Sequence, residues 1–287
     1  MQWSMLPIRA YSCDQFSLAS QLVPAYEVGG DLFDYAVGTD ELFVLVIDVM
    51  SHGLRASLLR TLAVTAPRNA RRTGLALADQ LRQADRVLYP QFGGEQFVTA
   101  LAMCIDLATG AADVVNAGHP PPRLLRDGAN TALDVPPNVS LRMFEGSRYV
   151  EHSAQLRPGD RLVLVSDGLV EATDPTGEEY GEERLQGALL ATAALSTAEA
   201  VRHIIRTTRD YQHDELRDDA TVPCLDWWGS AGGDLSMAAA PPAMLSPRAY
   251  QLAGNARVLN IGVRRAGVRR GRRSGRRCDT PAEVERR

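Results

Sequence analysis

Four acidic positions in this chain share one kind of setting. Asp31 follows Gly29-Gly30, and Asp48 closes the apolar run of residues 42–47. Asp167 follows the apolar run of residues 161–166 and precedes Gly168, while Asp218-Asp219 lead directly into residues 220–225. A carboxylate at the end of a buried strand is costly to desolvate unless positive charge meets it. Hard divalent cations such as Mg²⁺ and Mn²⁺ take oxygen ligands, and a paired site needs several carboxylates with one able to bridge. Two such ions about 3.5–4 Å apart lower the pKa of a shared water and clamp the oxygens of an in-line phosphoryl displacement. Taken singly, Asp48 reads equally as a helix cap or a turn residue. The repetition of the setting points to metal.

Other chemistries find less support. No Ser-His-Asp order or thiolate-activating cluster offers a nucleophile, and neither GxxxxGK[ST] nor GxGxxG occurs. His52 and His119 are candidates either for protonating a leaving oxygen or for bonding loops around the site. Asp34 reads as a turn or supporting residue, and Asp219 as the alternative to Asp218. Gly53 and Gly118 read as positions of special backbone geometry; Glu171 and Thr99 read as structural.

These residues require a scaffold of strands and helices. Residues 42–47 form a continuous β-branched and aromatic run, the pattern of a strand buried on both faces. A turn at Gly38-Thr39-Asp40 places Asp31 and Asp48 on neighbouring strands. Helices are expected over residues 54–72 and 75–88, and the second should pack on a sheet. Residues 97–106 and 112–117 read as a hairpin, residues 123–126 as another strand, and residues 129–150 as two short strands. After the strand at 161–166 come a helix opening near Tyr180 and another over residues 197–211 capped by Ser196. Pro223 marks the last strand as an edge.

At 287 residues, 45% apolar and 23% charged, the composition is that of a soluble globular protein. No run reaches about 18 apolar residues, and the N-terminus lacks a signal-peptide layout, so a cytoplasmic location without membrane attachment is expected. The four cysteines show no CxxC spacing, which argues against zinc and a disulfide framework. All 31 basic residues are arginine. From Trp227 onward there are 12 Arg against 4 acidic residues, leaving 19 against 31 before it. The expected division is therefore an acidic domain over residues 1–226 and an Ala/Gly/Pro- then Arg-rich tail over 227–287, disordered by composition.

Several motifs, in order, carry a resemblance. They are Pro24-Ala25-Tyr26-Glu27-Val28-Gly29-Gly30-Asp31-Leu32-Phe33-Asp34, Asp48-Val49-Met50-Ser51-His52-Gly53 and Phe97-Val98-Thr99-Ala100-Leu101. There follow Asn116-Ala117-Gly118-His119-Pro120-Pro121, Pro158-Gly159-Asp160 through Ser166-Asp167-Gly168-Leu169-Val170-Glu171-Ala172, and Asp218-Asp219-Ala220-Thr221. Over roughly Met5 to Asp226 the chain resembles the SpoIIE/RsbU-like branch of the metal-dependent (PPM, type 2C) serine/threonine protein phosphatases.

The resemblance implies an α+β fold, a type 2C phosphatase-like αββα sandwich of two antiparallel sheets flanked by helices, with the site at one end. It implies two Mn²⁺ or Mg²⁺ ions: Asp48 bridging them, Asp31 and the Val49 carbonyl on the first, Asp167 and Asp218 on the second. A hydroxide shared by the ions would then attack a phosphoserine or phosphothreonine directly. The implied substrate is a phosphorylated anti-sigma-factor antagonist (STAS-like) protein, and so the implied role is sigma-factor regulation. Relatives often carry an N-terminal sensor domain, whereas here the resemblance starts near residue 5. Control is accordingly expected from a separate regulator, a homodimer or the tail.

Family members usually carry glycine where Ser51 stands. If that position needs positive φ, serine costs about 1 kcal/mol or more. Two alternatives remain at this point: a weakly active or inactive phosphoprotein-binding module on the same fold, and nucleic-acid binding through the Arg-rich tail.

Overall fold

The computed structural model describes residues 6–25, 29–50, 53–92, 96–213 and 217–229. All belong to one unit, Met1–Ala238; a second, Ala239–Arg287, lies outside them, and with it nearly all of the expected tail. Eleven strands and five helices occur among the described residues. In chain order they are β1 (Ala10–Ser12), β2 (Phe16–Val23), β3 (Leu32–Val37), β4 (Glu41–Val49), α1 (Leu54–Arg72), α2 (Leu77–Phe92), β5 (Val98–Asp106) and β6 (Ala111–Ala117). There follow β7 (Arg123–Arg126), β8 (Ala129–Ala132), β9 (His152–Gln155), β10 (Arg161–Val163), α3 (Asp167–Val170), α4 (Gly181–Leu190), α5 (Thr197–Tyr211) and β11 (Ala220–Trp227).

The strands form two antiparallel sheets, ordered β1-β2-β11-β10-β7-β8 and β3-β4-β5-β6-β9. Strand β4 shows why its apolar run is unbroken. Leu42, Val44 and Val46 pack between the sheets with Phe16, Leu18, Met103, Leu162 and Trp227. Phe43, Leu45 and Ile47 alternate to the other face, against Leu59 and Ala63 of α1 and Leu81 and Leu88 of α2. Burying each such side chain stabilises the fold by about 1.5–3 kcal/mol. On the opposite outer face, Leu185 of α4 and Val201, Ile204 and Ile205 of α5 cover Ala19, Val163, Val222 and Cys224. The result is the expected αββα sandwich. Ser196 is the N-cap residue of α5, and its backbone N–H donates to Glu199 at 3.0 Å.

Some expectations need correction. Strand β11 is not an edge: it lies between β2 and β10. Pro223 is tolerated because its missing N–H falls opposite Leu164, one residue beyond the end of β10, while its carbonyl still accepts the Leu164 N–H at 2.9 Å. Residues 129–150 hold one strand, β8, and isolated bridges at Asn138 and Leu141 in place of a second. The second helix begins at Leu77 rather than Leu75. Strand β11 ends at Trp227, which is fully buried.

Candidate metal centre

The acidic residues meet at one end of the sandwich. Strands β3 and β4 pair up to Leu32↔Ile47, so Asp31 and Asp48 stand side by side just beyond that rung, and Asp48 lies opposite Thr99 of β5. Asp167 is the first residue of α3, and Asp218-Asp219 immediately precede β11 in the other sheet. Gly30, Asp48, Val49, Asp167, Arg217, Asp218 and Asp219 line a cleft of about 230 Å³ together with Met50, Phe97 and Thr99. Both sheets therefore contribute carboxylates to the same opening.

The electrostatics of the cluster follow from that crowding. Burial pushes the Asp31 carboxyl well above its ordinary range, and the charges of Asp48 and Asp219 push it further; the neighbouring hydroxyls of Thr221 and Ser166 pull the other way. Asp48 is raised to about 7, first by burial and then by Asp167 and Asp218, with the Asp31 carboxyl offsetting part of the effect. Asp218 is raised by burial, opposed by the Asp219 backbone N–H that donates to it at 2.8 Å, and raised again by the charge of Asp167. Glu171 feels burial and then the charges of Asp167, Glu179 and Asp218.

Asp219 has a different task. Its two carboxylate oxygens accept the backbone N–H groups of Ala25 at 2.8 Å and Asp31 at 3.1 Å. It is 2% exposed, and a Cβ on Gly29 would lie 1.8 Å from its Oδ2. Asp219 thus holds the loop before β3, while Asp218 is exposed; both line the cleft. Behind them, the Ser166 hydroxyl accepts the Thr221 N–H at 3.0 Å and donates to the Asp219 carbonyl at 3.3 Å.

The donor set fits a hard divalent cation. It consists of oxygen atoms, its carboxylates raise one another's affinity for positive charge, and Asp31 Oδ2 is buried with no hydrogen-bond partner. Among the described residues no group of three or more His, Cys, Asp or Glu side chains is arranged to hold an ion by protein ligands alone.

The remaining candidates separate cleanly. Asp34 is paired with Arg68 through two bonds of 2.7 Å; neither it nor Asp31 is in the cleft lining, but Asp31 is coupled by charge to Asp48 and Asp219, which are. His119 is buried, its Nδ1 lies 2.9 Å from the Thr99 hydroxyl, and burial lowers its pKa to about 4. A neutral histidine there shapes a loop, and Asn116 closes that loop by accepting the His119 N–H at 2.8 Å and donating to its carbonyl at 2.9 Å. Gly118 has φ of 74°, and a Cβ there would meet Ser140 Oγ at 2.2 Å; Gly53 has φ of 91°. Both are backbone-geometry positions, as expected. Ser51 and His52 lie outside the described residues.

The sequence reading missed two residues. Arg217 lines the cleft, and the only cue was its place before Asp218. Arg60 of α1 is 1% exposed and donates through Nη1 to the Gly29 carbonyl at 2.6 Å. Its signal was an arginine on the stripe that Ala56, Leu59, Ala63 and Val64 share.

A two-sheet sandwich with helices outside and a carboxylate cleft at one end has the architecture of the type 2C phosphatases. Residues 38–228 match the family described as Stage II sporulation protein E (SpoIIE), more than half of the chain, and the protein belongs to that family. It is similar to the phosphoserine phosphatase RsbP of Bacillus subtilis (strain 168), with 28% identity over 172 residues, 58% of this chain and 42% of RsbP. The chain therefore spans less than half the length of that relative. Its fold is similar to the SiaA-PP2C domain of Pseudomonas aeruginosa, with a TM-score of 0.66, 21% identity, and coverage of 73% of this chain and 85% of that one. It is also similar in fold to the catalytic domain of the serine threonine protein phosphatase PstP, solved in complex with 2 manganese ions (TM-score 0.56, 17% identity, covering 74% of this chain and 98% of that one).

Proposed function

We propose that the protein is a metal-dependent serine/threonine phosphatase acting on a regulatory phosphoprotein of the anti-sigma-factor antagonist kind. The observation that carries this reading is the convergence of Asp48 from the end of β4, Asp167 from the start of α3 and Asp218 from the segment before β11 on one cleft. Such a cluster is held together best by cations. Asp48 would serve both ions, Asp31 and the Val49 carbonyl one of them, and Asp167 and Asp218 the other. Bound Mn²⁺ or Mg²⁺ supplies a Lewis acid and a water of lowered pKa.

The chain's own residues supply the rest. Arg217 lines the same cleft, and a guanidinium matches phosphate oxygens with paired donors. Asp219 and Ser166 keep the loop before β3 and the start of β11 in register with one another. The names of RsbP as a phosphoserine phosphatase and of PstP as a metal-bound serine threonine phosphatase support this reading by similarity. Residues 1–226 would form the phosphatase unit, with residues 227–287 as an appended tail, and a separate regulator or a second copy would control it. Among the described residues no helix is long and apolar enough to cross a membrane; the phosphoprotein substrate would place the enzyme in the cytoplasm.

The test is phosphate release from a phosphoserine protein in the presence of Mn²⁺. Wild type should turn over and lose activity with EDTA. Wild type that binds Mn²⁺ and the phosphoprotein yet releases no phosphate would sink the enzyme reading in favour of a binding module.

A further inference from the structure

The backbone that carries Asp31 is gripped from two sides. Its N–H side belongs to Asp219, which takes the amides of Ala25 and Asp31. Its carbonyl side belongs to Arg60, whose Nη1 donates to the Gly29 carbonyl at 2.6 Å and lies 3.5 Å from the Asp31 carbonyl. An anion from the strand β11 end and a cation from helix α1 thus hold adjoining peptide units, the first through the Asp31 N–H and the second through the Gly29 and Asp31 carbonyls on either side of it. Gly29 packs so closely on Asp219 that a Cβ there would strike the Asp219 carboxylate. Asp31 Oδ2 is buried without a hydrogen-bond partner, so the place of that oxygen depends on the backbone that carries it as well as on the Thr221 and Ser166 hydroxyls beside the carboxyl.

A buried guanidinium is an expensive choice for holding one carbonyl. Removing it from water costs several kcal/mol unless anions compensate. Here burial lowers the affinity of Arg60 for its proton, and the charges of Asp219 and Asp31 oppose that shift. Its Nε remains without a partner. A simpler side chain would fill the same space on a stripe otherwise made of Ala56, Leu59, Ala63 and Val64. Helix α1 also begins just beyond the Asp48–Met50 strand end, so Arg60 ties the segment following Asp48 to the segment preceding Asp31.

Building on the proposed function, we infer that Arg60 is a positioning residue for the metal centre, fixing the Gly29–Asp31 backbone so that Asp31 is presented beside Asp48. It touches neither the ion nor the substrate. Its contribution should appear as metal affinity rather than as turnover once the metal is saturating.

The experiment is calorimetric titration of Mn²⁺ into the full-length wild type, Arg60→Met and Arg60→Lys, with urea unfolding of each metal-free protein alongside. Loss of a residue that orients a metal ligand typically weakens metal affinity by about 10–100-fold, and Arg60→Met should fall in that range. Arg60→Lys, which keeps the charge with fewer placed donors, should fall between Arg60→Met and wild type. A folded Arg60→Met that binds Mn²⁺ as wild type does would overturn the inference and leave the proposed function standing. If Arg60→Met does not fold, Arg60→Lys decides, and wild-type affinity in it would overturn the inference. Wild type that binds no Mn²⁺ at all would end both readings together.

Discussion

Two groups of aspartates in this molecule solve the problem of burial in opposite ways. Asp226 sits under 9%-exposed Arg161, with bonds of 2.6 and 2.9 Å and a further bond from Thr197 at 2.5 Å. Asp160 is paired with Arg126 at 2.8 and 2.6 Å and also accepts the Arg157 N–H, and Asp34 is paired with Arg68. Each is answered by an arginine fork within the chain. Asp31, Asp48, Asp167 and Asp218 form no ion pair among the described residues, and three of them are raised by one another's presence. The paired aspartates act as fixings between elements, whereas the clustered ones leave their positive charge to come from outside. Arg60, spent on carbonyls rather than on a carboxylate, belongs to neither group.

That contrast can be broken experimentally, beginning with the largest effect. Asp48→Asn should lower Mn²⁺-supported kcat by about 10³-fold, the scale of several kcal/mol of metal-assisted stabilisation, while leaving the metal-free fold intact. Normal turnover in this variant would show that the cluster is not the reaction centre. Asp226→Ala should do the reverse. It strands the buried Arg161 charge and should destabilise the fold by about 3–5 kcal/mol in urea, with no change in metal affinity per folded molecule.

A third test uses pH. A carboxyl whose folded pKa is raised binds more protons folded than unfolded, so its contribution is favourable below the unfolded pKa and is lost as pH rises through the folded one. Metal-free wild type should therefore lose about 1–3 kcal/mol between pH 4 and about 7, and Asp48→Asn should flatten that slope. A wild-type slope unchanged by the substitution would contradict the crowding argument. Smallest is Asp34→Asn. Arg68 is partly open to water, so about 1 kcal/mol of stability should be lost, with metal affinity unaltered. A drop in affinity would move Asp34 into the centre.

Much of this arrangement was legible from residue order. The glycine turn before β4 and the length of its apolar run were enough to set Asp31 beside Asp48, because two strands joined by a short turn must pair. The same local logic failed for β11. Pro223 signals an edge only if its absent N–H faces a partner, and here the neighbouring strand stops one residue short. Residues 129–150 were opaque because they lean on β5 and β6 through single bridges rather than through a periodic face. Choosing between Asp218 and Asp219 turned on which side chain reaches back to Ala25 and Asp31, a contact about 190 positions away that no local pattern encodes. Arg60 was hidden for the same reason: its helix is readable, but the carbonyls it serves are set by tertiary packing.

The place of β11 in the sheet also governs the order in which the molecule can be completed during synthesis. Chains emerge from the N-terminus, and domains generally fold as units. Strands β2 and β10 are not hydrogen-bonded to each other, since β11 lies between them, and β11 is the last element in chain order among the described residues. Asp218 and Asp219 arrive with it, so a nascent chain lacking residues beyond about 217 has neither the central strand nor the clasp on the Asp31 loop. Asp218 and Asp219 are therefore the last of the acidic residues to join a cleft whose other carboxylates come from earlier in the chain.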